Sequence, residues 1–125
     1  MTNPVFTLED GNSLEIPITS IIFVEVKGTG GCTVVYQVGN DRQVDKLTSQ
    51  YGFVKKAVID GGFMPDAIEM DVASDAKKHK IFVSQSRIVA KRGLQKDDNG
   101  GTLQVSIDIN GTIIPLIVKQ KFEEV

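Results

Sequence analysis

Apolar and polar residues alternate along most of this chain with a period of two. Such alternation is typical of β-strands that bury one face and expose the other. The pattern predicts about seven or eight strands, and the apolar pair Ile88-Val89 closes one of these segments. The apolar runs lie at residues 6–8, 14–18, 21–26, 33–38, 68–72, 81–83, 103–109 and 114–118.

Turn signals separate these runs. Asp10-Gly11-Asn12 and Asn110-Gly111 each join two alternating runs, and this pattern predicts β-hairpins. The glycine-rich stretch at residues 28–31 is followed by a predicted strand, whereas a phosphate-binding loop needs a helix N-terminus there. We therefore predict a hairpin turn with positive φ angles at these glycines. Pro17 lacks a backbone N–H, so its strand should lie at an edge or end there.

One segment has helical spacing. Val44, Leu47, Tyr51, Val54 and Val58 follow each other at intervals of 3, 4, 3 and 4 residues, which places them on one stripe of a helix. The spacing predicts an amphipathic helix over residues 41–59 that packs on a sheet. The residues expected to delimit it are Asn40 or Asp41 as the N-cap and Gly61-Gly62 at the C-terminal end.

The predicted fold class is α+β and mostly β, with antiparallel sheets or a small sandwich and one amphipathic helix. The chain has 125 residues, of which 41% are hydrophobic and 24% charged. This composition is ordinary for a globular protein, and the length suits one hydrophobic core. We expect residues 1–125 to form a single β-rich domain.

The sequence predicts a cytoplasmic protein, or one in a virion assembled in the cytoplasm. Its apolar runs are far shorter than the roughly 18 residues that span a bilayer, so no membrane contact is expected. The first residues, Met1-Thr2-Asn3-Pro4, have neither the basic nor the apolar region of a secretory signal. Cys32 is the single cysteine, so no intrachain disulfide can form, as suits a reducing compartment.

The residues that usually carry chemistry are few. His79 and Cys32 are the single histidine and cysteine; nothing local marks Cys32 as a nucleophile, and a structural zinc site needs about four such ligands. Acid–base chemistry would have to use carboxylates such as Asp66, Glu69, Asp71 or Asp75, but a solvated strand face explains the spacing of Glu69 and Asp71. We predict no enzyme activity, no metal, no cofactor and no small-molecule substrate.

Charge is distributed unevenly. The net charge is −2, yet residues 77–96 contain seven basic and no acidic residues, so the rest of the chain carries −9. This segment could meet nucleic acid, meet an acidic face of a neighbouring protein or of another copy, or simply guard a solvated strand edge with lysines. The residues predicted to contact an anionic partner are Lys80, Arg87, Lys91 and Arg92.

The order of elements resembles a known family. Two predicted strands precede the helix, and after it come Phe82-Val83-Ser84-Gln85-Ser86-Arg87-Ile88-Val89, a Gly-Gly hairpin and Ile114-Pro115-Leu116-Ile117-Val118. In this order residues 18–118 resemble a LytTR-type DNA-binding domain of transcriptional regulators. The chain departs from that family at Gln85, where a basic residue is expected. The resemblance implies phosphate or base contacts by Arg87, Lys91, Arg92 and Lys119.

We predict a non-enzymatic structural or protein-interaction module within a larger assembly. In size and composition the chain is similar to small β-rich accessory proteins of tailed-phage virions. The expected partners are protein neighbours or further copies of the chain. The alternative is a LytTR-like DNA-binding domain that uses residues 77–96, whose affinity would fall steeply with salt.

Overall fold

A computed structural model describes residues 3–28, 30–62, 64–76 and 78–125. Lys77 of the basic segment, Thr29 of the glycine-rich turn, Phe63 and the first two residues lie outside them. The described residues form ten strands in three antiparallel sheets and one α-helix, so the predicted α+β, mostly β fold class is confirmed. The elements are β1 (Val5–Thr7), β2 (Ser13–Glu15), β3 (Ile21–Lys27), β4 (Cys32–Val38), β5 (Asp41–Leu47), α1 (Tyr51–Asp60), β6 (Ala67–Asp71), β7 (His79–Ser84), β8 (Ile88–Gly93), β9 (Leu103–Ile109) and β10 (Thr112–Val118), with 3-10 turns at Ile18–Ser20, Gln85–Arg87 and Phe122–Glu124.

The five-stranded sheet, in the order β5-β4-β3-β7-β6, lies between two hydrophobic cores. Its central strand β3 is almost continuously apolar because both of its faces are buried. Val24 packs into the core on one side and Ile22 into the core on the other, and both are at most 1% exposed. The sheet is therefore the middle layer of the molecule.

The first core joins the five-stranded sheet to α1 and to the small β1–β2 hairpin. Tyr51, Val54 and Val58 form the buried stripe of α1, as the helical spacing predicts. Phe6 of β1 is buried in the same core. The strand that precedes Pro17 ends at Glu15, in agreement with the expectation that proline would end it.

The second core lies between the five-stranded sheet and the three-stranded sheet β10-β9-β8. Leu103, Val105, Ile107 and Ile109 alternate along β9 and are at most 3% exposed, so this strand supplies much of that core. The two sheets also meet at one edge. There the backbone N–H of Lys119 donates to the carbonyl of Asp71 over 2.8 Å. The five-stranded and three-stranded sheets therefore form a β-sandwich that is partly closed along this edge.

The predicted helix over residues 41–59 is wrong in its first half, because residues 41–47 form β5. Val44 pairs with Val35 in the β4–β5 ladder, and Gly39 has a φ of 60° in the turn that joins the two strands. On a strand, Val44 and Leu47 point to opposite faces, and they are 58% and 2% exposed. Pairing with β4 therefore outweighs the local helical spacing. Gln50, not Asn40 or Asp41, precedes the first turn of α1.

The hairpin turn of the glycine-rich stretch is confirmed, but Gly31 does not have the positive φ predicted for it. Gly28 and Gly30, with φ angles of 86° and 98°, lie in the hairpin turn between β3 and β4. Gly62, with a φ of 67°, follows the end of α1. None of the helices formed by the described residues is long and apolar enough to cross a membrane.

Candidate functional site: the three-stranded sheet and its basic edge

The four residues predicted to contact an anionic partner lie in different surroundings. Lys80 is on β7, in the five-stranded sheet, whereas Lys91 and Arg92 are on β8, an edge strand of the three-stranded sheet. Arg87 lies in the 3-10 turn that connects β7 with β8. The fold therefore separates Lys80 from the other three.

Lys80 belongs to a charged network between α1 and strands β6 and β7. Its Nζ lies 3.0 Å from Asp71 Oδ1 and 3.5 Å from Glu69 Oε1. Lys55 Nζ and the Tyr51 hydroxyl donate to Glu69 Oε2 over 2.6 and 2.8 Å. The network attaches the helix to the sheet, and the carboxylates of this chain already neutralise Lys80.

The lysines and carboxylates of this network each favour the ionised form of their partners. The hydrogen bond to Asp71 raises the pKa of Lys80, and the same bond lowers the pKa of Asp71. Partial burial opposes ionisation of Glu69, but the hydrogen bonds from Lys55 and Tyr51 outweigh it, so the pKa of Glu69 is also lowered. Burial, and then the bond to Glu69, raise the pKa of Tyr51. Glu69 and Asp71 share one strand face, as their spacing predicts, and that face is paired with lysines.

Arg87 holds the turn between β9 and β10. Its Nη1 donates to the carbonyl of Asp108 over 3.2 Å and to Asn110 Oδ1 over 3.1 Å. The Asn110 amide in turn donates to Gln37 Oε1 on β4 over 2.9 Å. Arg87 therefore joins the 3-10 turn between β7 and β8 to the turn between β9 and β10.

Lys91 is tied to the C-terminal segment. Its Nζ donates to the carbonyl of Phe122 over 2.8 Å and to that of Val125, and it lies 4.3 Å from the centre of the Phe122 ring. That distance is within cation–π range. Arg92, the next residue, points to the opposite face and is exposed; no hydrogen bond or ion pair joins it to another described residue. Of the four predicted residues, Arg92 is therefore the one whose side chain has no bond within the described part of the chain and can meet a partner.

Arg92 lies on the outer face of the three-stranded sheet, the face turned away from the second core. The strand register sets its neighbours: Arg92 pairs with Gln104, and Gln104 pairs with Ile117. On β10 the outward residues Ile113, Pro115 and Ile117 form an exposed apolar row, with Ile113 51% and Ile117 37% exposed. The outer face consists of Ala90, Arg92, Gln104, Ser106, Asp108, Ile113, Pro115 and Ile117.

Comparisons with known proteins found no relative. The chain matches no protein-family model, no curated protein and no solved structure. The resemblance to LytTR-type domains stays a prediction.

Sequence reasoning missed the outer face, although its signal is visible. Residues 113–118 are apolar on every position, whereas β9 alternates strictly. A strand with one solvated face alternates, so a run without alternation indicates that both faces are to be covered. In this chain only the inward residues Ile114, Leu116 and Val118 pack into the second core.

Proposed function

We propose that this protein is a non-enzymatic structural module that associates with a second copy of itself through the outer face of the three-stranded sheet. The observation that carries the proposal is the exposed row of Ile113, Pro115 and Ile117. A contiguous apolar patch on a protein surface usually marks an interface. The proposed setting is a larger assembly, in the cytoplasm or in a virion assembled there.

The row suits a second copy because it is symmetrical about Pro115. A twofold axis through Pro115, perpendicular to β10, would place Ile113 of one copy on Ile117 of the other. Such an isologous contact uses the same patch on both subunits. The same axis would bring Gln104 over Asp108 of the second copy, where the side-chain amide can donate to the carboxylate. Apolar and polar positions of the face are thus both self-complementary.

Arg92 lies at the border of this patch, on the strand farthest from the apolar row. We propose that it contacts an acidic group of a neighbour in the assembly, since charged residues are placed at interface rims more than at their centres. Lys80, Arg87 and Lys91 already have partners within the chain. The anionic contact predicted for the basic segment is therefore assigned first to Arg92.

The test is the solution mass, measured by light scattering over a range of protein concentrations. We expect a dimer for the natural sequence and a monomer for Ile113→Lys combined with Ile117→Lys, because four ammonium groups would be buried in two facing pairs. Ile59→Lys is the matched control: Ile59 lies on α1 and is 55% exposed. Equal masses for the double variant and the control, or a monomeric natural sequence, would contradict the proposal.

Random duplex DNA added at low and at high salt tests the alternative function in the same instrument. Under the self-association proposal, DNA leaves the mass unchanged at both salt concentrations. A mass shift with DNA at low salt that disappears at high salt would instead support DNA binding through residues 77–96.

A further inference from the structure

Strand β5 forms one edge of the five-stranded sheet, and its register with β4 shows which of its backbone groups point away from the sheet. Val38 and Asp41 are the pair next to the two-residue turn, so their backbone groups bond to each other. Backbone direction alternates along a strand, so every second residue after Asp41 also bonds to β4. The residues between them direct their N–H and C=O groups outward, and these are Arg42, Val44 and Lys46.

The chain itself pairs with one end of this edge. Leu8 forms an antiparallel bridge with Leu47, and the backbone N–H of Glu9 donates to the carbonyl of Lys46 over 3.3 Å. The chain then turns away from the sheet at residues 10–12. No backbone hydrogen bond joins the outward groups of Arg42 and Val44 to another described residue. Unpaired backbone groups along an edge strand are a template for a further extended segment.

The side chains along the edge indicate the chemistry of that segment. Arg42, Val44 and Lys46 lie on one face of β5 and are all exposed, Val44 by 58%. Glu9 stands opposite Lys46, so the chain's own segment places an acidic residue beside a basic one. Cross-strand pairs of opposite charge and of apolar residues stabilise a sheet. A segment that continues along the edge should therefore have an apolar residue opposite Val44 and an acidic residue opposite Arg42.

A second copy of the chain does not fit this edge. In antiparallel pairing, outward residues must stand opposite outward residues, so two registers would pair both Arg42 and Val44. With Val44 opposite Val44, Arg42 stands opposite Lys46, whose carbonyl already accepts from Glu9. With Arg42 opposite Val44, Asp41 of each copy stands opposite Asp45 of the other. Like charges directly opposite each other are destabilising, so a different chain is the better occupant.

We propose that the uncovered edge of β5 binds an extended, acidic segment of a different protein, which runs antiparallel to β5 as a sixth strand of the sheet. An apolar residue of the segment lies opposite Val44, and an acidic residue two positions later lies opposite Arg42. Backbone hydrogen bonds supply affinity, and the spacing of the apolar and acidic residues supplies selectivity. The contact is separate from the outer face of the three-stranded sheet, so it goes beyond the self-association proposed above.

The test is an NMR titration of the isotope-labelled full chain with the capped peptide acetyl-Thr-Val-Thr-Glu-Thr-amide. We expect hydrogen exchange to slow at the amides of Arg42 and Val44, because their N–H groups gain acceptors in the peptide. The amides of Gln43 and Asp45 already donate to β4, so their exchange should change little. The same peptide with Lys in place of Glu should bind about tenfold more weakly, because its ammonium group would lie beside Arg42.

Variants locate the contact. Val44→Pro removes an outward N–H without removing a hydrogen bond to β4 and should abolish binding, whereas Arg42→Glu should weaken it about tenfold. Arg92→Glu is the matched control, an exposed cation on the other sheet, and should bind the peptide normally. Binding should also persist in the double variant Ile113→Lys, Ile117→Lys, so failure of self-association and failure of this contact are distinguishable. Equal binding of the two peptides, equal binding by Arg42→Glu and Arg92→Glu, or unchanged exchange at Arg42 and Val44 would overturn the proposal.

Discussion

The two large sheets of this protein use similar residues in different surroundings. The central strands of the five-stranded sheet are covered on both faces, and Val24 and Val83 are fully buried. The three-stranded sheet is covered on one face, and Ile113 on its other face is 51% exposed. β-Branched side chains at both places favour strands equally, so local propensity does not distinguish them. Packing within a single chain leaves the apolar row on β10 uncovered.

The two sheets also differ in whether their charged residues have partners within the chain. On the helix side of the five-stranded sheet, Lys55 and Lys80 form ion pairs with Glu69 and Asp71, so these charges are neutralised within the chain. On the outer face of the three-stranded sheet, Arg92 is exposed and has no such partner among the described residues. Of the cations in the basic segment, Lys80, Arg87 and Lys91 are therefore structural residues, whereas Arg92 is a surface residue.

The largest difference between the two sheets should appear in stability. Ile81→Ala should lower the free energy of unfolding by about 2–5 kcal/mol, because Ile81 is 1% exposed in the second core and its removal leaves a cavity. Ile113→Ala on the outer face should change it by less than about 0.5 kcal/mol. Urea denaturation of dilute, monomeric protein measures both. Similar losses for the two variants would mean that the outer face is packed within the chain.

Tyr51→Phe tests the network that attaches α1. The variant removes the hydroxyl that donates to Glu69 from a residue that is 6% exposed, and we expect a loss of about 1–2 kcal/mol in the free energy of unfolding. Lys56→Ala is the control on the same helix, since its ion pair with Asp60 is exposed and should contribute less than about 0.5 kcal/mol. If the free energy of unfolding falls equally little in both variants, the network does not attach the helix to the sheet.

Acid should act through the same network. The pKa values of Glu69 and Asp71 are lowered in the folded protein by their hydrogen bonds to lysines, against the partial burial that opposes ionisation of Glu69. The pKa of Asp66 is lowered as well, by hydrogen bonds from the Ser84 hydroxyl and from the backbone N–H of Ser86. A carboxyl whose folded pKa is depressed adds stability above its unfolded pKa of about 4 and loses it as the pH falls through the folded value.

Stability should therefore be constant from about pH 5 to about pH 8 and decline below about pH 4, as measured by urea denaturation at a series of pH values. In the double variant Glu69→Gln, Asp71→Asn the free energy of unfolding should be lower at pH 7 and fall less steeply in acid. A decline as steep as that of the natural protein would assign acid sensitivity to other groups.

The smallest effect on stability is expected for Arg92→Glu. Because Arg92 is exposed, reversing its charge should change the free energy of unfolding by less than about 0.5 kcal/mol. Lys80→Glu should destabilise more, since it would place a third carboxylate beside Glu69 and Asp71. Thermal unfolding of the two variants side by side measures the difference. Equal melting temperatures would show that the cations of the basic segment are not divided as described.

Sequence patterns predicted those elements whose local signal agrees with their environment. β9 alternates strictly because one of its faces is buried, and it was predicted over the residues it occupies. β5 was missed because Val44 and Leu47 have helical spacing by coincidence. The dipeptide Gly39-Asn40, a common two-residue hairpin signal, marks the turn before it.

The site was harder to predict because register brings distant residues together. Lys80 meets Asp71 and Glu69 through the β6–β7 ladder, and Glu25 meets His79 across 54 residues of sequence. Neighbours in sequence are separated for the same reason, since Lys91 and Arg92 point to opposite faces of β8. Local charge counts therefore identified the cations without showing which of them are free.

The most direct test of self-association through the outer face is a cysteine at the proposed twofold axis. In Pro115→Cys the two copies of the new thiol would lie close together, so mild oxidation should give a disulfide-linked dimer. Cys32 need not be replaced, because it is buried and burial raises the pKa of its thiol to about 11. Ile59→Cys, on the exposed side of α1, is the control and should stay monomeric. Rapid dimer formation by Pro115→Cys alone is the result we predict; equal rates for the two variants, or no dimer from either, would contradict the account.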